Sequence, residues 1–304
     1  MTSTTTKPTR PQTNGSGLSA APIAACAVTL LLWASAFVGI RHLGGTVPPG
    51  ALSLGRLLVM TLALGALVLA RGGTRSPTRA EWPLVLAGGG CWFGVYNLTL
   101  NAAEQHIDAA TAALVVQVGP IIVALLAVVL FGERLTRWLL IGLAVGFGGV
   151  VLIGRVSAGD GGADLVGVLL AGVAAGTFAV GVVTQKQLLR TFGALDLTFW
   201  YSVVGVVVCL PWTGQLVDLV AHPAPGDLGW ILYLGIFPSA VAFVLWAYAL
   251  SHADAGRFAM TTFLVPFLTA LLGWLFLDEV PPALTFLGGA LCIGGVLLTR
   301  RQAN

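Results

Sequence analysis

Ten separate stretches of this 304-residue chain stay apolar long enough to cross a lipid bilayer, which takes about 20 residues of helix. They run approximately over 20–40, 50–70, 82–101, 108–131, 136–153, 165–185, 195–213, 228–250, 256–277 and 281–299. Inside hydrocarbon the backbone must satisfy its own hydrogen bonds, so such blocks fold as helices or as a closed barrel. None has the period-two alternation of a barrel strand, which leaves helices. Composition agrees, because 57% hydrophobic and 9% charged residues give too little polar surface to coat a soluble globule of this size. The expected fold class is all-α integral membrane with ten transmembrane helices.

The basic residues indicate orientation. With the N-terminus in the cytoplasm, Lys7, Arg10, Arg71, Arg75, Arg79, Arg134, Arg137, Lys186, Arg190, Arg257, Arg300 and Arg301 fall inside, and only Arg41 and Arg155 fall in outer loops. That asymmetry places both termini in the cytoplasm of a multi-pass cell-membrane protein. The net charge of +3 is therefore a topology signal and implies no nucleic-acid partner. Residues 1–19, rich in Thr, Pro and Gly, read as a disordered cytoplasmic tail before an uncleaved first helix. Cys26, Cys91, Cys209 and Cys292 lie within apolar spans and suggest neither disulfides nor a metal site.

"GPIIVALLAVVLFGE" (119–133) and "VPFLTALLGWLFLDE" (265–279) are one pattern written twice. A shift of 146 residues aligns His106 with His252, Asp108 with Asp254, Pro120 with Pro266, Glu133 with Glu279, and Gly148-Gly149 with Gly294-Gly295. Glycine and leucine matches come cheaply in such a composition, whereas gapless matches of His, Asp, Pro and Glu do not. The chain reads as five helices duplicated. Because five is odd, the second copy must cross the membrane in the opposite sense. Two inverted five-helix repeats are the signature of secondary transporters. Pro120 and Pro266 interrupt corresponding helices and free the carbonyls of Val116 and Thr262. Such matched interruptions are hinge positions and pointers to a transport site.

The two five-helix copies, "LLWASAFVGIR" in the first helix, "GRLLV" opening the second, and the paired P-x(12)-E blocks before Gly-rich fifth and tenth helices together resemble the EamA family of the drug/metabolite transporter superfamily. The resemblance implies a first EamA-like repeat over 20–154, a second over 164–300, and a short cytoplasmic tail at 301–304. It also implies a central cavity and export of amino acids, other small metabolites or drugs.

Positions that the repeat keeps are expected to serve the shared fold, and polar residues with apolar counterparts to serve cargo. Gln117, opposite Phe263, passes that filter, as do Asn97, Asn101 and Glu104 on one face of the third helix, opposite Phe243, Ala247 and Leu250. Arg56, an intramembrane arginine, is expected to meet that stripe and supply positive potential to an outward vestibule. Thr177 heads a stripe with Thr184 and Gln185, while Trp33 and Trp246 are cavity-lining aromatics and Thr262 sits beside the second interruption. The expected substrate-binding set is thus Trp33, Asn97, Asn101, Gln117, Thr177, Trp246 and Thr262; Arg56, Glu104, Glu133 and Glu279 are the electrostatic or gating set. Glu133 also reads as a solvated cluster with Arg134 and Arg137.

His42, His106, His222 and His252 all fall in loops, and no H-E-x-x-H or nucleophile–base pair lies in the spans, so an enzyme is not expected. A flippase of lipid-linked substrates from the same superfamily is the alternative to a small-molecule exporter. No cofactor or metal is called for, and no ATP-binding motif is present. A coupling proton or other ion, or the cargo's own gradient, must then drive transport, and Glu104 is the candidate proton carrier. The pattern is silent on oligomeric state.

Overall fold

The computed structural model describes residues 20–43, 47–107, 109–157, 164–277 and 282–299, and all regular structure among them is helical. The first half comprises α1 (Ala20–Leu43), α2 (Pro49–Ala70), α3 (Trp82–Gly88), a π-helical segment at Gly89–Val95, α4 (Tyr96–Ala103), α5 (Ala109–Val116), α6 (Gly119–Phe131) and α7 (Arg137–Ser157). The second comprises α8 (Leu165–Leu188), α9 (Ala194–Cys209), a 3₁₀ turn, α10 (Thr213–Ala221), α11 (Asp227–Leu234), a π segment at Gly235–Val241, α12 (Ala242–Ser251), α13 (Ala255–Ala259), a 3₁₀ segment at Met260–Phe263, α14 (Leu264–Leu277) and α15 (Ala283–Thr299).

Over the residues described, every apolar block read from the sequence is largely helical. Among the described residues, eight helical stretches are long and apolar enough to cross a membrane. The α3–α4 run, diluted by glycines and by Asn97 and Asn101, is not among the eight, and α15 is apolar but only 17 residues long. Local chemistry sets the helix ends. Pro49 begins α2, where its missing N–H costs nothing. Gly132, at φ 66°, takes the left-handed conformation that ends α6 and turns Glu133 away from the helix.

The packing follows the 146-residue repeat. The two π segments are displaced by that interval, and so are the interruptions before Pro120 and Pro266. The α9 helix packs on the first π segment as α2 packs on the second; α1 meets α12 as α8 meets α4, and α1 meets α14 as α8 meets α6. The α7 helix packs along its own counterpart, α15, and the two run antiparallel: Gly142 lies against Gly295 and Thr299, and Gly149 against Gly288 and Cys292. A Cβ on Gly149 would stand 2.5 Å from the Gly288 carbonyl oxygen, so only glycine permits this approach.

Candidate functional site

The chain leaves α-helical geometry at Gln117-Val118, between α5 and α6, and again through Met260–Phe263. Pro120 and Pro266 sit in the first turns of α6 and α14. Pro266 has no N–H for the Thr262 carbonyl, and Gln117 Nε2 fills that need from the other half of the molecule at 2.7 Å. The Thr262 hydroxyl lies 2.8 Å from the Ala259 oxygen and 3.3 Å from Gln117 Oε1, which share its single proton. Both side chains are buried. Two residues expected to bind cargo are thus brought together, and they hold one interruption against the other.

Beside them lies an aromatic cluster. Gly119 packs on Phe178, Phe178 on Trp92 at 5.3 Å between centroids, and Trp92 on Phe243 at 5.1 Å. Trp33 and Trp246 face each other at 4.8 Å, and Trp246 also meets Phe258 at 4.4 Å. Trp33 is half-buried and Trp246 fully buried.

The polar stripe of α4 reaches α2. Asn101 Nδ2 donates to Ser53 Oγ at 2.9 Å, while Asn97 Nδ2 folds back onto the Phe93 carbonyl at 2.8 Å. The Arg56 guanidinium, one turn along α2 from Ser53, makes its hydrogen bonds elsewhere: Nε and Nη2 lie 3.2 and 3.1 Å from Ser239 Oγ in the second π segment. Ser239 in turn donates to the Leu234 carbonyl, five residues back, which is the spacing of a π turn. Gly235 lets that segment approach, since a Cβ there would stand 2.9 Å from the Arg56 oxygen. The Thr177 hydroxyl is spent within α8, on the Val173 and Ala174 carbonyls. Glu104 caps α4 and is half-buried.

Glu133 has a definite partner, and it is neither Arg134 nor Arg137. Its carboxylate accepts the N–H groups of Ala255 at 2.7 Å and Gly256 at 3.1 Å, capping α13 across the two halves. Burial pushes the Glu133 carboxyl up, and the two N–H donors pull it back in part. Next to it, Lys186 Nζ donates to the Leu250 and Ala253 carbonyls at 2.9 and 2.6 Å. The α12–α13 connection is thereby held at both its carbonyls and its amides. Glu279 lies outside the described residues. At the opposite end of the bundle, His106 Nδ1 and Asp164 Oδ2, both exposed, stand 2.9 Å apart and also join the two halves.

Ser239 and Lys186 were not among the expected site residues. Ser239 carried a legible signal: its counterpart is Phe93, the same polar-for-apolar exchange that singled out Gln117. Lys186 did not, because a lysine near a span end reads first as a topology signal.

This arrangement offers an aromatic wall beside buried amides, suited to a small molecule with an apolar body and a polar head. The model of the EamA-like transporter family matches the chain twice, over residues 20–155 and 165–301. A probable terminal-alkyne amino-acid exporter from Streptantibioticus cattleyicolor is 34% identical over 91% of this chain and 93% of its own. The uncharacterized transporter YdfC of Bacillus subtilis is 31% identical over 90% of this chain and 89% of its own. The pseudopaline exporter CntI of Pseudomonas aeruginosa is 28% identical over 84% and 87%. A crystal structure with 23% sequence identity superposes with a TM-score of 0.75 over 91% of this chain and 95% of the other, a likeness of fold alone.

Proposed function

Since the chain belongs to the EamA-like transporter family, and two of the relatives above are named exporters of small molecules, we propose that it exports an amino-acid-like compound across the cell membrane by alternating access. In this reading ten helices cross the bilayer as two inverted repeats, 20–154 and 164–300, with both termini cytoplasmic. The antiparallel α7–α15 seam and the paired packing of the other helices support the inversion. Cargo would sit between the halves, against the faces that carry Trp33, Trp246, Asn97, Asn101, Gln117 and Thr262. Relative motion would hinge at Pro120 and Pro266.

The observation that carries the reading is the Gln117–Thr262 pair, which couples the two interrupted helices directly. A change at either break is felt by the other half. The named amino-acid exporter supports the cargo class. Purified protein in liposomes, preloaded with unlabelled L-propargylglycine or L-phenylalanine, should take up the labelled compound by counterflow. Exchange that is absent for every amino acid in such a panel would overturn the cargo class. Exchange that stays normal with Pro120→Ala and Pro266→Ala combined would overturn the hinge.

A further inference from the structure

Three successive residues of α8 differ sharply in how their polar groups are satisfied. The Thr184 hydroxyl accepts from Tyr201 OH at 2.9 Å and donates within α8. Lys186 is bonded to two carbonyls of the α12–α13 connection. Gln185 between them is fully buried, and neither its Oε1 nor its Nε2 has a hydrogen-bond partner. The indole Nε1 of Trp246, equally buried, has none either. Buried amides and indoles are nearly always paired, and sealing them dry is costly.

The two orphans share a neighbourhood. Gln185 follows Gly181 by one helical turn, on the same face of α8, and Gly181 packs directly on Trp92. Trp92 lies 6.1 Å from Trp246 between centroids. One turn beyond Trp246 on α12 is Leu250, whose carbonyl takes the Lys186 proton. The stretch 181–186 of α8 therefore runs alongside 246–250 of α12, with the aromatic cluster at one end and the Glu133–Lys186 fastening at the other.

We infer that Gln185 and the Trp246 indole form a polar subsite for the head group of the cargo, sealed in this conformation and reached when the fastening of the α12–α13 connection opens. Their chemistry specifies the head group. Two amide N–H groups and one indole N–H are neutral donors for a carboxylate, and Gln185 Oε1 is an acceptor for an ammonium or hydroxyl beside it. An α-amino-acid head offers both, and its side chain would extend into the aromatic cluster. The inference rests on the exporter reading and adds to it a named subsite and a route of entry.

Gln185→Leu and Trp246→Phe test it, because the first removes the amide while keeping volume and the second removes the indole N–H while keeping a smaller aromatic ring in place. With wild type exchanging L-propargylglycine or L-phenylalanine, each variant should lower the initial counterflow rate about tenfold, the loss of one ligand hydrogen bond. The melting temperature of Gln185→Leu in detergent should hold or rise, since an unpaired amide leaves the core. Normal exchange by both variants, or a marked fall in melting temperature with Gln185→Leu, overturns the subsite. If wild type moves no amino acid, the cargo class has failed, and melting then decides alone: an unchanged or raised value supports a sealed ligand site and a fall rejects it.

Discussion

The α7–α15 seam and the junction of the two interrupted helices are both places where a segment meets its own repeat counterpart, yet they are built in opposite ways. In the seam the copies agree: Gly142 and Gly149 on one helix face Gly295 and Gly288 on the other. At the junction they disagree: Gln117 replaces the aromatic of Phe263, Thr262 replaces the apolar Val116, and these two polar residues bond each other. Arg56 and Ser239 follow the same rule, since their counterparts are Ser202 and Phe93. Agreement between copies marks what both need in order to fold. Disagreement marks polar groups set into hydrocarbon, where each must be paired or must await a ligand.

The largest expected effect lies in the seam. Gly149→Leu would push carbon into the Gly288 backbone, and overpacking of a close contact costs about 1–3 kcal/mol or more. The expected outcome is loss of monodisperse protein after detergent extraction. Gly148→Leu is the control, since nothing lies within 4 Å of a Cβ there. Equal behaviour of the two variants would break the account of the seam.

Next comes the junction. Gln117→Phe gives the first copy the residue of the second and strands the Thr262 carbonyl, a penalty of about 1–3 kcal/mol for an unmet buried group. The protein should remain extractable but melt lower and lose most exchange activity. Exchange at the wild-type rate would reduce the asymmetry to sequence drift. Arg56→Gln is expected to fold, because the amide can still reach Ser239, and to slow exchange several-fold by removing the positive charge. Unchanged exchange would remove Arg56 from the mechanism.

Much of this was legible in the sequence, and the reasons are physical. Helix positions were plain because hydrocarbon demands length and apolarity, so α2 at Pro49–Ala70 differs by one residue from the block at 50–70. The duplication showed through His, Asp, Pro and Glu, which are rare enough in this composition for their matches to carry weight. The π segments were not legible, because a register of five instead of four leaves the apolar pattern almost unchanged. Side-chain partners were half legible. Gln117 and Thr262 were each singled out, but their bond to one another depends on the two halves packing face to face. Arg56 was expected to meet the α4 stripe; it lies close enough to Tyr96 of α4 to interact with it electrostatically, and the hydrogen bonds of its guanidinium run to Ser239 of the second half.

The smallest effect sharpens the comparison at a position both copies keep. Glu133 and Glu279 match across the repeat, and Glu133 acts as a fastening: two backbone N–H groups of α13 hold it. Burial raises its pKa, Asp254 raises it further, and the Ala255 and Gly256 amides and Lys186 oppose the rise without cancelling it. A carboxyl with a raised pKa holds its proton more tightly in the folded protein than in the unfolded chain. Its contribution to stability is therefore fully present below the ordinary carboxylate range and is lost as pH rises through the raised value. Glu133→Gln has no such dependence. The melting-temperature difference, wild type minus variant, should grow slightly as the pH falls from neutral into the carboxylate range. A difference that shrinks instead would mean that the two N–H bonds outweigh burial, and that Glu133 is an ordinary charge-assisted cap whose hold weakens in acid.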